Sequence, residues 1–314
     1  MNKFTIRQLE YLVAVGQTGN LTEAARHLRV SQPAITSAIA HLEGVFGQQL
    51  FDRHRGSGVS PTAAGHRALV EARNILTLVD DFPGALNVEA EEISGTVLMG
   101  CFEPLACYQL PALLGAMAAE FPNVHIEFSL QTQSRIHDGL QNGEFDLGFS
   151  YDSGFWEDLK KIVLYHVTPY ALLSANHRLA AQEVVSLTDL VGEPFILVDL
   201  PESREYQLSL MRSFGAEPQV RYYCGNLEVI RGLVANGLGV SLSVTRPVGD
   251  RCYDGHQLAY RPLVEAVPKQ AVVLAYSKGV RLTRAAKAIL EAIRRHYLIH
   301  AGSLDQGVQM PRAV

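Results

Sequence analysis

Residues 20–53, NLTEAARHLRVSQPAITSAIAHLEGVFGQQLFDR, constrain the fold more than any other stretch, because they spell two short amphipathic helices around a tight polar turn. Leu21, Ala24, Ala25 and Leu28 recur at helical spacing and give one apolar face for about two turns. Asn20 or Thr22 can cap that helix. Arg29-Val30 is the turn. Ser31 caps a second helix, Pro33 sits in its first turn where a missing N–H costs little, and Ile35, Ala38, Ile39, Leu42 and Phe46 form its buried stripe up to Gly47. The opposite face carries Gln32, Pro33, Thr36, Ser37 and Ala40, all short or slender. Such a face suits a helix that enters a DNA major groove: Gln can pair with adenine N6 and N7, and Thr or Ala methyls can touch a thymine methyl. The alternative is a helical hairpin whose polar face is merely wet, but wet faces carry Glu and Lys, and this one has neither before Glu43.

The flanks fit a compact three-helix module. Thr5 can cap a helix with Ile6, Leu9, Leu12 and Val13 facing inward, ended by glycines 16 and 19. Beyond the second helix, Leu50-Phe51 anchors a short hairpin with its tip at residues 54–58. There Arg53 and Arg55 suit phosphates, which add affinity without sequence choice; the plainer reading is two surface arginines in a loop. The whole chain has a net charge of −5, yet residues 1–60 hold Lys3, Arg7, Arg26, Arg29, Arg53 and Arg55 against Glu10, Glu23, Glu43 and Asp52. Positive charge is therefore concentrated where DNA would lie.

This stretch resembles the DNA-binding domain of the LysR-type transcriptional regulators. The likeness rests on Ala24-Ala25-Arg26-His27-Leu28, Ser31 to Ala34, Leu42-Glu43, Leu50 to Arg53, and Thr62 to Gly65. One departure is Pro61, where the family usually has Leu, which puts in question how the wing joins the next helix. The resemblance implies an α/β protein with an N-terminal winged helix-turn-helix (1–61), a long linker helix that pairs subunits (62–93), and a two-lobed periplasmic-binding-protein-like effector domain (94–300). Within the last, lobe I takes 94–167 and 268–300 and lobe II takes 168–267; residues 301–314 are expected to be a disordered tail.

From Ala63 to about Val79 the seam Ala68, Leu69, Ala72, Ile75, Leu76 and Val79 predicts a helix that cannot bury this stripe alone. Pro83-Gly84 predicts its end or a kink near Asp81. Glu89, Glu91 and Glu92 then form an acidic tether. From Gly95 strands alternate with helices: 96–101, 105–121, 124–130, 134–142 and 145–150 read as βαβαβ, which implies a parallel sheet. Strands at 170–174, 194–199, 219–224 and 239–244 with helices at 203–214 and 227–236 form a second unit. A strand at 271–277 and a helix at 283–297 return to the first. Pro111 to Leu114, Phe121-Pro122, Gly143 to Leu147 and Gly232 to Gly239 extend the family resemblance, which spans about residues 4–300.

The resemblance implies a small-molecule effector between the lobes, at strand C-termini and helix N-termini. Phe102, Glu103, Pro104, Gln131, Thr132, Tyr151, Asp199, Pro201, Ser203 and Asn226 fall there. Many family members hold a carboxylate with a Ser or Thr at the first helix start; this chain has Glu103-Pro104-Leu105. Glu103 either complements the helix dipole or implies a ligand bearing an amine or hydroxyl group.

A chain of 314 residues at 47% apolar content supports a small module plus a larger one. No signal-peptide core and no long apolar run is visible, so a cytoplasmic protein without membrane contact is expected. Cys101, Cys107, Cys224 and Cys252 lack CxxC spacing, and the histidines at 125, 137, 166 and 177 lack ligand spacing, so no metal or other cofactor is expected. Asn236 to Gly239 follows a helix and precedes a strand, the reverse of a phosphate-binding turn. Three functions stay open: an effector-controlled regulator, a thiol-based redox regulator using Cys101 and Cys107, and an α/β enzyme carrying a DNA-binding module. The first implies double-stranded DNA with an inverted-repeat operator, a homodimer or homotetramer, and RNA polymerase as partners.

Overall fold

A computed structural model describes residues 3–54, 58–86, 92–152, 154, 156–247 and 249–304. The N-terminal module is α1 (Ile6–Thr18), α2 (Leu21–His27) and α3 (Gln32–Phe46), followed by the hairpin β1 (Phe51–His54) and β2 (Gly58–Pro61). Thr5 closes a capping box with Gln8, and Asn20, not Thr22, caps α2 through Oδ1. Arg29 turns the chain at φ 54°, a left-handed conformation that costs an L-residue about 1–2 kcal/mol. Ser31 stands at the α3 N-cap position, but its side chain makes no capping bond. Gly16 does not end α1; it lies inside the helix against Leu69, and Gly19 at φ 61° provides the stop. Ile6 and Phe46, expected inside, are exposed, and Phe46 rests edge-on against Phe4 at 5.6 Å.

The long helix α4 (Ala63–Leu86) follows directly. Thr62 starts it: its Oγ1 accepts from Gly65 N at 3.0 Å and donates to Gln49 O at 2.7 Å. Pro61 ends β2 opposite Phe51 without disturbing this junction. The helix runs past Asp81 and through Pro83-Gly84 to Leu86, so it does not end near Asp81.

The apolar seam of α4 is largely consumed within the chain. Leu69 and Ala72 are buried in the core of the N-terminal module, with Ala68, Ile75 and Leu76 packed around it. The adjoining face rests on lobe I. His66 Nδ1 meets Asn142 Oδ1 at 2.7 Å, Asn74 bonds Gly279 O and Arg281 N, and Asp81 accepts from Arg284 N. Arg73 is buried over Gly143 and faces the carboxylates of Glu144 and Asp146. Burial pushes its guanidinium down to about 10, against the pull of those two acids, so it stays charged at neutral pH. Leu78, Val79 and Phe82 remain exposed on the outer side.

Lobe I contains β3 (Gly95–Phe102), α5 (Glu103–Glu120), β4 (Val124–Gln131), α6 (Gln133–Gln141), β5 (Leu147–Tyr151) and β6 (Leu159–Val167). Lobe II follows as β7 (Tyr170–Ser174), β8 (Pro194–Val198), α7 (Pro201–Ser213), β9 (Gln219–Cys224), α8 (Leu227–Ala235), β10 (Ser241–Ser243) and β11 (Leu258–Pro262). The chain then returns to lobe I as β12 (Gln270–Ser277) and α9 (Arg284–Leu304), so residues 301–304 belong to a helix and not to the expected tail; residues 305–314 lie outside those described. The lobe I sheet has the order β4-β3-β5-β12-β6, and β12 pairs antiparallel with both neighbours, which makes the expected parallel sheet a mixed one. In lobe II, β10-β7-β11 is antiparallel and β8-β9 parallel, the two joined by a bridge between Phe195 and Val240.

Two measurements test these packings. Replacing Gly by Ala inside a helix ordinarily gains about 1 kcal/mol. A methyl group on Gly65 would instead lie 2.0 Å from the Leu50 carbonyl oxygen, so Gly65→Ala is expected to lower the Tm; an unchanged or higher Tm contradicts the close approach. His137 Nε2 stands 3.0 Å from the Asp158 carboxylate. Burial opposes its charge, but hydrogen bonds to Asp158 and Asp138 outweigh that and raise its pKa. A raised histidine pKa stabilises the fold below the unfolded value of about 6.5, and the gain is lost as pH climbs through the folded value. His137→Asn should therefore lower the Tm more at about pH 5.5 than at about pH 8.5; equal losses would show that the charge is irrelevant.

Candidate functional site

The first candidate surface is the outer face of α3. Gln32, Pro33 and Ser37 are exposed and Thr36 half-buried, so all four stand free of the core that Ile35, Ala38, Ile39 and Leu42 fill. Thr36 Oγ1 donates to Gln32 O at 3.1 Å, and Gln32 Nε2 lies 3.5 Å from the same hydroxyl, which sets the two side chains side by side one turn apart. Arg53 is exposed on β1 opposite Val59; Arg55 lies outside the described residues. Sequence reasoning passed over Glu43. Its Oε1 accepts from Leu50 N at 2.8 Å and Phe51 N at 3.4 Å, and so fastens the hairpin to the end of α3. A glutamate on an otherwise uncharged helix face, a few residues before a strand, was the available signal.

The second candidate is a cleft between the lobes, with about 640 Å³ of open space including its mouth and the solvent there. Phe102 and Tyr151 form one wall as an edge-to-face pair at 5.9 Å, and Pro104 and Ser203 also line it. The remaining sequence-predicted residues do not reach it, but their neighbours do. Glu103 is exposed at the start of α5. Gln131 turns to Ser129, and Thr132 caps α6 through Arg135 N, leaving Gln133 in the cleft. Asp199 pairs with Arg204, and Pro201 is exposed, so Glu202 supplies the acid. Asn226 caps α8 while Gly225 and Leu227 line the space. The start of α8 falls where expected, those of α5, α6 and α7 fall one or two residues earlier, and Thr132 and Asn226 spend their side chains capping their own helices.

Sequence reasoning also missed Tyr206, Gln207 and the segment 242–245. Gln207 is buried and saturated, donating to Leu242 O and accepting from Val198 N. Contacts that cross between lobes here include the Tyr151 hydroxyl with Thr245 Oγ1, and Ser134 N donating to Glu202 Oε1 at 3.1 Å. Beside it, Tyr108 donates to Glu228, which is also paired with Arg231 at 3.1 Å. Among the described residues no group of His, Cys, Asp and Glu could hold a metal ion, and no helix is long and apolar enough to cross a membrane.

A winged helix-turn-helix joined by a long helix to a two-lobed domain with a central cleft defines an effector-controlled DNA-binding regulator. Residues 6–66 match the bacterial regulatory helix-turn-helix protein pattern of the lysR family, and residues 90–298 match the LysR substrate binding domain. The chain belongs to the LysR family of transcriptional regulators. It is similar to the crystal structure of HinK, a LysR family regulator from Pseudomonas aeruginosa, with 34% identity, 94% of this chain and 99% of that one covered, and a TM-score of 0.63. The hydrogen peroxide-inducible genes activator of Dickeya chrysanthemi is 26% identical over 96% of this chain and 98% of its own length. Full-length OxyR C199D from Pseudomonas aeruginosa shares the fold at a TM-score of 0.75 and 23% identity, with 93% and 98% covered.

Base contact from α3 and phosphate contact from β1 would respond differently to substitution. Gln32→Ala should cost about 1–3 kcal/mol on a specific duplex and little on random DNA. Arg53→Ala should weaken both and flatten the salt dependence of binding. Fluorescence anisotropy on both duplexes checks this, and equal effects of the two substitutions on both would refute the division.

Proposed function

We propose that this regulator reads an inverted-repeat operator as a homodimer, with Gln32, Pro33, Thr36 and Ser37 at base edges and Arg53 and Arg55 at phosphates, and that an effector between the lobes alters that reading through α4. One observation carries the coupling: α4 buries Leu69 and Ala72 in the DNA-binding core and Arg73 in lobe I. A change in lobe I that displaces Arg73 must move a helix on which the reading head is built. The protein acts in the cytoplasm, has RNA polymerase among its partners, and has no catalytic turnover.

Of the seam expected to pair subunits, Leu69 and Ala72 are buried in the chain's own core and Ala68, Ile75 and Leu76 are partly buried against it. That favours Leu78, Val79 and Phe82, exposed on the same helix, as the residues that meet a second copy, with effector domains extending dimers to tetramers. Two-fold pairing then matches two-fold DNA. Thiol sensing has less support despite the relatives' names. Cys101 is buried and pushed up to about 12, and burial also raises the Cys107 thiol, so neither is activated as a thiolate.

Sedimentation tests the dimer: Phe82→Glu should yield a smaller species with much weaker operator binding, whereas an unchanged assembly would exclude this face. Peroxide provides the second check. DNA affinity and footprint should be the same before and after treatment of the purified protein; a reversible change lost in Cys107→Ser would establish the redox reading instead.

A further inference from the structure

The interlobe cleft combines apolar walls with polar atoms that have no partner. Gln133 is only 2% exposed, and its Oε1 makes no hydrogen bond. Glu202 Oε2 and the Tyr206 hydroxyl are likewise buried and unpartnered. The other carboxylate oxygen of Glu202 is held by Ser134 N across the cleft at 3.1 Å, so the acid is fixed in place with one free oxygen toward the ligand space. A buried carboxylate oxygen without a donor costs more than a neutral group in the same position. Among the described residues that line the cleft there is no Lys, Arg or His to balance it.

Helix N-termini are the other means of holding an anion, and each of those at this cleft either carries an acid and a proline in its first turn or has an amide already bonded. The α5 start carries Glu103 and Pro104, and the α7 start carries Pro201 and Glu202, so each has an acid in its first turn and a proline in place of an amide donor. In α6, Thr132 accepts from Arg135 N and Glu202 accepts from Ser134 N. In α8, Asn226 Oδ1 accepts from Val229 N. An anionic ligand would be desolvated beside Glu202 with hydroxyl groups as its main donors.

We propose that the effector is a small organic cation, a protonated amine on an apolar or aromatic stem, with its nitrogen donating to Glu202 Oε2 and Gln133 Oε1 and its stem against Phe102, Tyr151 and Leu210. The proposal rests on the interlobe effector reading above and adds the charge of the ligand. It moves the acid that selects for a donor from Glu103 to Glu202, which bridges the lobes and so senses their closure.

A panel of aromatic and aliphatic primary amines, each paired with the carboxylate of the same stem (2-phenylethylamine with 3-phenylpropanoate, for example), tests this by thermal shift and titration calorimetry on the full chain. Amines should bind and their carboxylate partners should not. Glu202→Gln should weaken the best amine at least tenfold, and Gln133→Leu should weaken it severalfold, with the circular dichroism of both variants unchanged. A panel without an amine hit, or an amine affinity unaltered in both variants, overturns the proposal. If carboxylates bind instead and Leu210→Trp, which fills the cleft, abolishes them, the ligand charge is wrong and the cleft is right. Hits that survive Leu210→Trp as well would place the ligand elsewhere and remove the interlobe reading too.

Discussion

The buried guanidinium of Arg73 is the interaction on which the arrangement of the two halves depends. It leaves α4, lies over the Gly143 backbone at φ 64°, and is balanced by Glu144 and Asp146. Asp146 is itself held by Leu98 N at 2.9 Å, and Glu144 is paired with Arg135. Taking one member from a buried charge cluster leaves the rest uncompensated, typically at about 3–5 kcal/mol, so such a seat specifies one docking geometry more than it adds stability. Nε and Nη1 of Arg73 have no hydrogen-bond partner, so the seat is held by charge and shape and can be exchanged for a better-bonded one. That suits a joint which must hold in one state and shift in another.

At the other end of α4 the constraint is steric. The Leu50 carbonyl approaches Gly65 too closely for any side chain, Thr62 caps the helix while bonding Gln49 O, and Glu43 gathers the Leu50 and Phe51 amides. Recognition helix, hairpin and linker therefore meet around Leu50, which is buried, and move as one piece. A rigid head is what base readout needs, since donor and acceptor must be presented at fixed spacing. The cleft has the opposite character: its lobes are joined by hydrogen bonds such as Ser134 to Glu202, and buried polar atoms in it are left unmatched.

Much of this could be read from the sequence because the helical module writes its core at regular spacing and its caps in local residue types. The α/β alternation was equally legible wherever strands are buried, as in β3 and β5. What escaped notice has physical reasons. The edge strand β6 hides its pattern under Lys160 and Lys161, which face Tyr276 and Asp152. β12 looks like any buried strand, and its antiparallel pairing follows from the chain's return out of lobe II. The outcome at Pro83 and the consumption of the α4 seam depend on tertiary contacts that no local window contains. In the cleft, Phe102, Pro104, Tyr151 and Ser203 were legible, but Gln133 and Glu202 were not, since they differ from their neighbours only in the direction they face.

The central claim is that lobe I and the DNA-reading head communicate through the docked α4, and hydrogen–deuterium exchange on the full chain tests it most directly. The protein is compared free and bound to a duplex selected by it from a random pool. Because coupling free energy is reciprocal, DNA on α3 should alter exchange not only in residues 20–53 but also in 139–147 and 277–284, where α4 rests on lobe I. Changes confined to the N-terminal module, with lobe I exchanging identically in both states, would contradict the account.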